Sequence, residues 1–453
     1  MMSLTEAALA VGGRAQGAAV RFGSVSTDSR AIEAGGLFVA LRGERFDGHD
    51  FIDRARARGA CAAMVDRHWA SRSEDLPRVV VDDTKAALGR LAAHWRSGFD
   101  IPLIAVVGSN GKTTVKDMIA AALRAHFGAD RTPATAGNLN NDIGLPLTLL
   151  GLRPAHRAAV VELGMNHRGE TAALADIAVP TVALVNNAQR EHQEFLHGLD
   201  DVAREHGDVL AALPARGIAV INADDGFAGY WRERAAGRPV RDFGIERSAA
   251  VSGRYTLREF GAEIEIASPE GSIRFAMALA GVHSVRNAVA AAAAATAAGA
   301  SLEAVAAGLS SFRGVKGRLQ MKPGRNGCMV IDDTYNANPD SVRAAIEVLA
   351  RLPGRRILVL GDMGEVGEQG EAFHREAGAY AAQAGVDELL ASGDLCRFAC
   401  AAFGANARWH ERIEDLCAAL LPQTAAGTIV LVKGSRFMRM ERVVAVLVQE
   451  EKR

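Results

Sequence analysis

The stretch Val106-Val107-Gly108-Ser109-Asn110-Gly111-Lys112-Thr113-Thr114 constrains this chain more than any other. An apolar run over 101–107 precedes it and reads as a buried strand, while 115–127 reads as a helix. A glycine-rich turn between strand and helix aims backbone N–H groups at one point, and the helix N-terminus adds partial positive charge. Such a turn holds a polyphosphate. Lys112 is placed to reach the outer phosphates, and the Thr113 hydroxyl to sit on Mg²⁺. Gly108, Ser109, Asn110, Gly111, Lys112, Thr113 and Thr114 are therefore the expected nucleotide-binding positions. The strict pattern needs a glycine five positions before Gly111, where Val106 stands, so the loop is a shortened form. The competing reading is a chance glycine turn with a solvated lysine. The strand before and the helix after favour a nucleoside triphosphate site.

At 453 residues the chain exceeds one core, and two or three domains are expected. A net charge of −1 supplies no electrostatic reason for nucleic acid or an anionic membrane as partner. The start, 1–13, lacks a basic segment, and the alanine-rich stretch 289–300 is too short and too weakly apolar to span a bilayer. A cytoplasmic location without membrane insertion is expected. The five cysteines show no Cys-x-x-Cys spacing and read as buried thiols, with Cys396 and Cys400 on one helix face. Seven lysines leave arginine nearly all the positive charge.

Residues 1–98 alternate short strands (37–41, 62–65, 79–81) with helical stretches, a small N-terminal α/β domain. Residues 99–314 start at the phosphate loop and carry strands at 158–162 and 181–186. This is the rhythm of a mainly parallel sheet in a P-loop-type ATPase domain, with antiparallel character over 251–275. Residues 315–453 restart the rhythm with strands at 329–333, 356–360, 388–391 and 429–432, a Rossmann-like doubly wound domain.

Ligands bind outside the carboxyl ends of the strands in open parallel sheets, and several polar clusters fall there. Glu162 ends one strand and could ligate Mg²⁺ beside the phosphate loop, or simply cap a helix. Asn187 and His192 follow another strand; a lone histidine is usually structural. Asn138 and Asn141 lie in an Asn/Gly-rich stretch that is either a turn or a polar loop facing substrate. His283 and Asn287 open the alanine-rich helix, where Asn287 could be a cap or meet an adenine edge. Asp332-Asp333-Thr334-Tyr335-Asn336 ends a strand and suits a ribose contact or a helix cap, and Gly361-Asp362-Met363-Gly364-Glu365 and Lys433-Gly434-Ser435-Arg436 end two more.

In combination these segments resemble the Mur ligase family over nearly the whole chain, together with Thr27-Asp28-Ser29-Arg30 and the segments 38–49, 138–150 and 162–170. The family's loop carries the same shortened form. Segments 335–339 and 361–365 are most similar to the member that adds D-alanyl-D-alanine. The resemblance implies ATP-dependent ligation of D-alanyl-D-alanine to UDP-N-acetylmuramoyl-tripeptide through an acyl phosphate, in peptidoglycan synthesis. It implies Lys112, Glu162, His192 and Arg318 as catalytic residues and Thr113, Glu162 and His192 as Mg²⁺ ligands. Asn287 is implied at adenine, Asp333 at the ribose, Asn336 at the nucleotide and Arg318 at the γ-phosphate. Ser29 and Arg30 are implied at the uridine diphosphate, and Asn138 and Asn141 at substrate. A monomer whose third domain closes over the second is expected.

One departure stands out. The family usually has a carbamylated lysine where this chain has His206, in Val202-Ala203-Arg204-Glu205-His206-Gly207-Asp208, and no lysine lies between Lys116 and Lys316. Histidine forms no such stable carbamate. The second metal site is expected to be built differently, from Glu191, Glu194 or His206. Rival readings are a sister ligase of another Mur step, a folylpolyglutamate synthetase-like ligase, a small-molecule phosphotransferase, or a catalytically silent binding protein.

Overall fold

The computed structural model describes residues 1–69 and 76–448, so the last five positions of the expected third domain lie outside the described residues. Three principal sheets follow one another along the chain. The first has five strands in the order Arg14–Gln16, Arg78–Val81, Ala62–Asp66, Leu37–Val39, Val25–Ser26, parallel except for the antiparallel edge at Arg14–Gln16. Helix Thr84–Ser97, capped by the Asp83 carboxylate on the N–H groups of Lys85 and Ala86, leads out of it.

The central sheet has eight strands. Leu103–Val107 lies between Ala159–Glu162 and Val182–Val185, parallel to both, so the chain reverses its direction of strand addition at the phosphate loop. Glu162 and Asn186 thereby end strands on either side of that loop. A parallel run through Ile218–Asn222 and Val240–Gly244 reaches Val251–Arg258, after which Gly261–Ser268 and Gly271–Met277 add an antiparallel meander. Helix Val282–Ala297 packs on this sheet, and Ala288 through Ala295 are wholly buried. A helix apolar all round belongs inside, and methyl-sized side chains let it lie close to the strands.

The third sheet runs Gln320–Pro323, Met329–Asp333, Thr428–Lys433, Arg355–Gly361, Glu388–Ser392, Ala407–His410, with an antiparallel edge at Gln320–Pro323. The strand Thr428–Lys433, last in sequence, inserts between the first two parallel strands. That brings the carboxyl ends Asp333, Lys433 and Gly361 side by side, where such sheets bind ligands.

The cores are unequally shared. One continuous set of buried apolar side chains runs from Met2 and Leu4 through Leu88 and Leu91 to Leu103, Leu145 and Trp231, joining the first two units into one body. The third unit has its own apolar layers on the two faces of its sheet. Across the cleft, Arg318 of the third unit bonds Thr113, Arg190 pairs with Asp340 and Glu376, and His192 with Glu365.

Candidate active site

A cleft of about 1150 Å³ lies where the strand ends of the central and third sheets face each other, and the phosphate loop forms one wall. Gly111 adopts φ +83 and caps helix Lys112–Phe127, which starts three residues earlier than its apolar pattern suggests. A Cβ on Gly111 would stand 2.7 Å from the Asn287 amide, and one on Gly108 (φ +137) 2.9 Å from the Asn186 side chain. Both glycines are required by close approach as well as by backbone angle. The loop is held from the next strand end. Asn187 accepts from the Asn110 N–H at 2.9 Å, and the Ser109 hydroxyl accepts from the Gln189 N–H at 2.8 Å.

Within the loop, the Lys112 ammonium donates to the Gly108 and Ser109 carbonyls and to Oε2 of Glu191 at 3.2 Å. The Thr113 hydroxyl, nearly buried, donates to Oε2 of Glu162 at 2.7 Å, and Asn140 donates to the other Glu162 oxygen at 2.8 Å. A hydroxyl and a carboxylate in contact beside a phosphate loop are the hard oxygen donors that Mg²⁺ takes, so these two residues fit the ion. From the third unit, Arg318 donates to Thr113 Oγ1 at 2.8 Å while its guanidinium lies over the Tyr335 ring.

A second polar centre lies next to Lys112. His192, at φ +48, places Nδ1 2.6 Å from Oε2 of Glu365 and Nε2 3.7 Å from Oε2 of Glu191. The other Glu191 oxygen is 2.7 Å from Nε2 of His206, which is fully buried. Burial alone would raise the Glu191 carboxyl, but Lys112, His206 and His192 draw it down to about 2. Helix Leu199–Ala211 carries His206 on its buried face and is fixed by the Trp231 indole, which donates to the Ala203 carbonyl. The neighbouring Glu205 points elsewhere, accepting the N–H groups of Gly169 and Thr171 at the start of the preceding helix, Glu170–Ala178. Glu194 is exposed. Of the three residues expected to rebuild the second metal site, the fold brings Glu191 and His206 together and leaves Glu194 outside.

In the third unit, Asp333 accepts from Lys433 Nζ at 2.6 Å and from the Leu319 N–H at 3.1 Å. Asn336 lines the cleft and gives its carbonyl to Lys433. His283 also lines the cleft, and burial holds its imidazole down to about 4. Asn287 accepts from the Asn186 amide at 3.2 Å and packs on Gly111. Asn138 and Asn141 line the cleft, and Asn141 also caps helix Gly144–Leu150 by accepting the Gly144 N–H. Ser29, buried, and Arg30, exposed and paired with Asp28, sit on the first unit away from this lining.

Residue-by-residue reading of the sequence passed over several contacts. Asn140 rather than its neighbours meets Glu162, and Arg190 crosses to the third unit, donating to Asp340 and Glu376. The Asn/Gly run signalled the first; nothing local signals the second. A separate buried cluster, Asp362, His374 and Cys396, is committed to the backbone. His374 accepts the Met363 N–H at 3.0 Å, and Asp362 accepts the Cys396 N–H at 2.8 Å.

Comparison with known proteins covers the same three units. Residues 21–96 match the model for the Mur ligase family, catalytic domain; 106–295 match the Mur ligase middle domain; and 317–436 match the Mur ligase, glutamate ligase domain. The chain is 40% identical over 452 residues to the UDP-N-acetylmuramoyl-tripeptide–D-alanyl-D-alanine ligase of Escherichia coli K12, covering 99% of each. Its structure is similar to that of MurF from Acinetobacter baumannii, with TM-score 0.89, 34% identity and 98% of each chain covered. It is also similar to the MurF ligase of Thermotoga maritima in complex with ADP, with TM-score 0.82, 26% identity, and 93% of this chain and 96% of the other covered.

Proposed function

The chain belongs to the Mur ligase family, and on that premise we propose that it joins D-alanyl-D-alanine to UDP-N-acetylmuramoyl-tripeptide with ATP, forming the pentapeptide precursor of peptidoglycan. The observation that carries the substrate assignment is the full-length likeness to a ligase so named. The chemistry follows from the cleft. A carboxylate is a poor acyl donor. Its oxygen attacks the γ-phosphorus of ATP, ADP leaves, and an acyl phosphate remains. The amine of D-alanyl-D-alanine then attacks the acyl carbon, and the tetrahedral adduct loses phosphate and a proton to give the amide.

The loop N–H groups and Lys112 hold the transferring phosphoryl group, and Arg318 approaches it from the opposite wall. Thr113 and Glu162 would hold Mg²⁺, which neutralises phosphate charge when bound, with His192 toward a second ion. Asp333 and Asn336 take the nucleoside side with Asn287. Asn138 and Asn141 face the muramoyl peptide, and Ser29 and Arg30 receive the uridine diphosphate. Closure of the third unit excludes water, which would otherwise hydrolyse the acyl phosphate. The same reading includes domains at 1–98, 99–314 and 315–453, a monomer, and cytoplasmic action without nucleic acid. No helix among the described residues is long and apolar enough to cross a membrane.

The test is phosphate release from Mg·ATP and UDP-N-acetylmuramoyl-tripeptide, with and without D-alanyl-D-alanine. Release that requires the dipeptide, with its mass added to the nucleotide, is the expected result. Release without an amine acceptor would indicate a phosphotransferase instead.

A further inference from the structure

The two oxygens of Glu191 face different neighbours. Oε1 lies 2.7 Å from His206 Nε2, inside the protein; Oε2 faces the cleft, 3.2 Å from Lys112 Nζ and 3.7 Å from His192 Nε2. His206 is fully buried and, among the described residues, has no partner on its other ring nitrogen. Its side chain is thus committed to Glu191. Helix Leu199–Ala211 supplies a rigid backing for a carboxylate that stands on a loop.

We propose that Glu191, fixed by His206, is the carboxylate that holds a second divalent cation together with His192, in place of any modified lysine. This rests on the ATP-dependent reading above and assigns residues particular to this chain. The Lys112 ammonium spends its three donors on the Gly108 and Ser109 carbonyls and on Glu191, so a nucleotide phosphate taken by it displaces one of these acceptors. Where Glu191 is the acceptor displaced, its buried carboxylate loses the nearest cation and keeps only the two imidazoles, which is unfavourable. A divalent cation held at the same oxygen would restore the balance. Two adjacent ligands of one octahedral Mg²⁺ stand about 3 Å apart, given Mg–O distances near 2.1 Å. Glu191 Oε2 and His192 Nε2 are 3.7 Å apart, so a side-chain adjustment of less than about 1 Å would bring them to adjacent positions on one ion. Position 206 cannot carry a carbamate, and a permanent carboxylate at 191 removes the need for one. His206 acts through Glu191 and is a positioning residue.

The full-length protein, saturated with the β,γ-methylene analogue of ATP, is titrated with Mn²⁺ in bicarbonate-free buffer and again after adding bicarbonate, with bound metal followed by electron paramagnetic resonance. The wild type is expected to bind a pair of Mn²⁺ ions with the same affinities in both buffers. Glu191→Gln, checked for an intact fold by circular dichroism, keeps the ion at Thr113 and Glu162. It weakens the second about 10-fold or more, the scale on which perturbed metal sites respond. His206→Leu weakens the second ion similarly, and His206→Gln, which keeps an N–H donor, recovers part of the loss. Unchanged binding of both ions to Glu191→Gln would overturn the proposal and leave Glu191 as a counter-ion for Lys112. A second ion that appears in the wild type only with bicarbonate would also overturn it. Loss of nucleotide binding in the wild type would instead remove the ATP-dependent reading itself.

Discussion

Arg318 of the third unit donates a 2.8 Å hydrogen bond to Oγ1 of Thr113, the hydroxyl that also binds Glu162. The same guanidinium lies 4.2 Å from the centre of the Tyr335 ring. A planar cation stacked on a ring and pointed at a phosphate loop is held in place before any nucleotide arrives.

Arg318→Lys keeps the charge but loses the stacked plane and the fork of donors. We expect kcat to fall about 10²- to 10³-fold, the scale for removing one preorganised donor, with a smaller change in KM for ATP. Steady-state phosphate release measures both. A loss under about threefold would remove Arg318 from the transition state.

Lys112→Ala removes the ammonium proposed to meet the outer phosphates. Several kcal/mol of transition-state stabilisation are expected to go, about 3–4 by analogy with other phosphoryl-transfer clamps. Turnover equal to wild type would overturn the assignment of the nucleotide site.

Arg190 fastens the central unit to the third. It reaches Asp340 at 2.6 Å and Glu376 at 2.7 Å and lies over the Phe373 ring. Arg190→Ala should shift the ligand-free protein toward open forms, visible as a larger radius of gyration in X-ray scattering. Raising salt should move the wild type in the same direction, because part of the clasp is exposed to solvent. Identical scattering from both proteins at low salt would show that the clasp does not hold the units closed.

His283 makes stability depend on pH. Burial lowers its pKa from 6.5 to about 4, so between those values the unfolded chain binds a proton that the folded one refuses. This contribution to stability is complete above about pH 6.5 and is lost as pH falls toward 4. The slope from one such group is at most about 1.4 kcal/mol per pH unit. Urea midpoints for wild type and His283→Gln should converge toward pH 4 relative to their separation at pH 7.5. Parallel curves would mean that His283 takes its proton equally in both states.

Much of the fold was legible because burial writes itself as runs of apolar residues. Strand 329–333 was read to its ends, and the alternation over 251–275 resolved into three paired strands. The strands Ile218–Asn222 and Val240–Gly244 were not singled out, the second because Arg241 and Asp242 interrupt its pattern. The start of helix Lys112–Phe127 was missed because its first turn is the polar Lys112-Thr113-Thr114 rather than an apolar stretch. Lys112, Thr113 and Glu162 could be placed from the loop and a strand end, since both features are local. The partnership of Glu191 with His206 could not be located so. Its two members lie on different elements, and only the packing of helix Leu199–Ala211 decides which of Glu205 and His206 turns toward Glu191.

The six residues 189–194 bind the phosphate loop through the Gln189 side chain, which accepts from the Asn110 amide, the third unit through Arg190, and helix Leu199–Ala211 through Glu191. A single change at any of these places leaves a partner in another part of the molecule without its complement. Descendants of this chain are therefore expected to alter the segment in linked sets, position 191 together with 206 and position 190 together with 340 and 376. Swapping the third unit with that of a relative should fail unless the short segment travels with it.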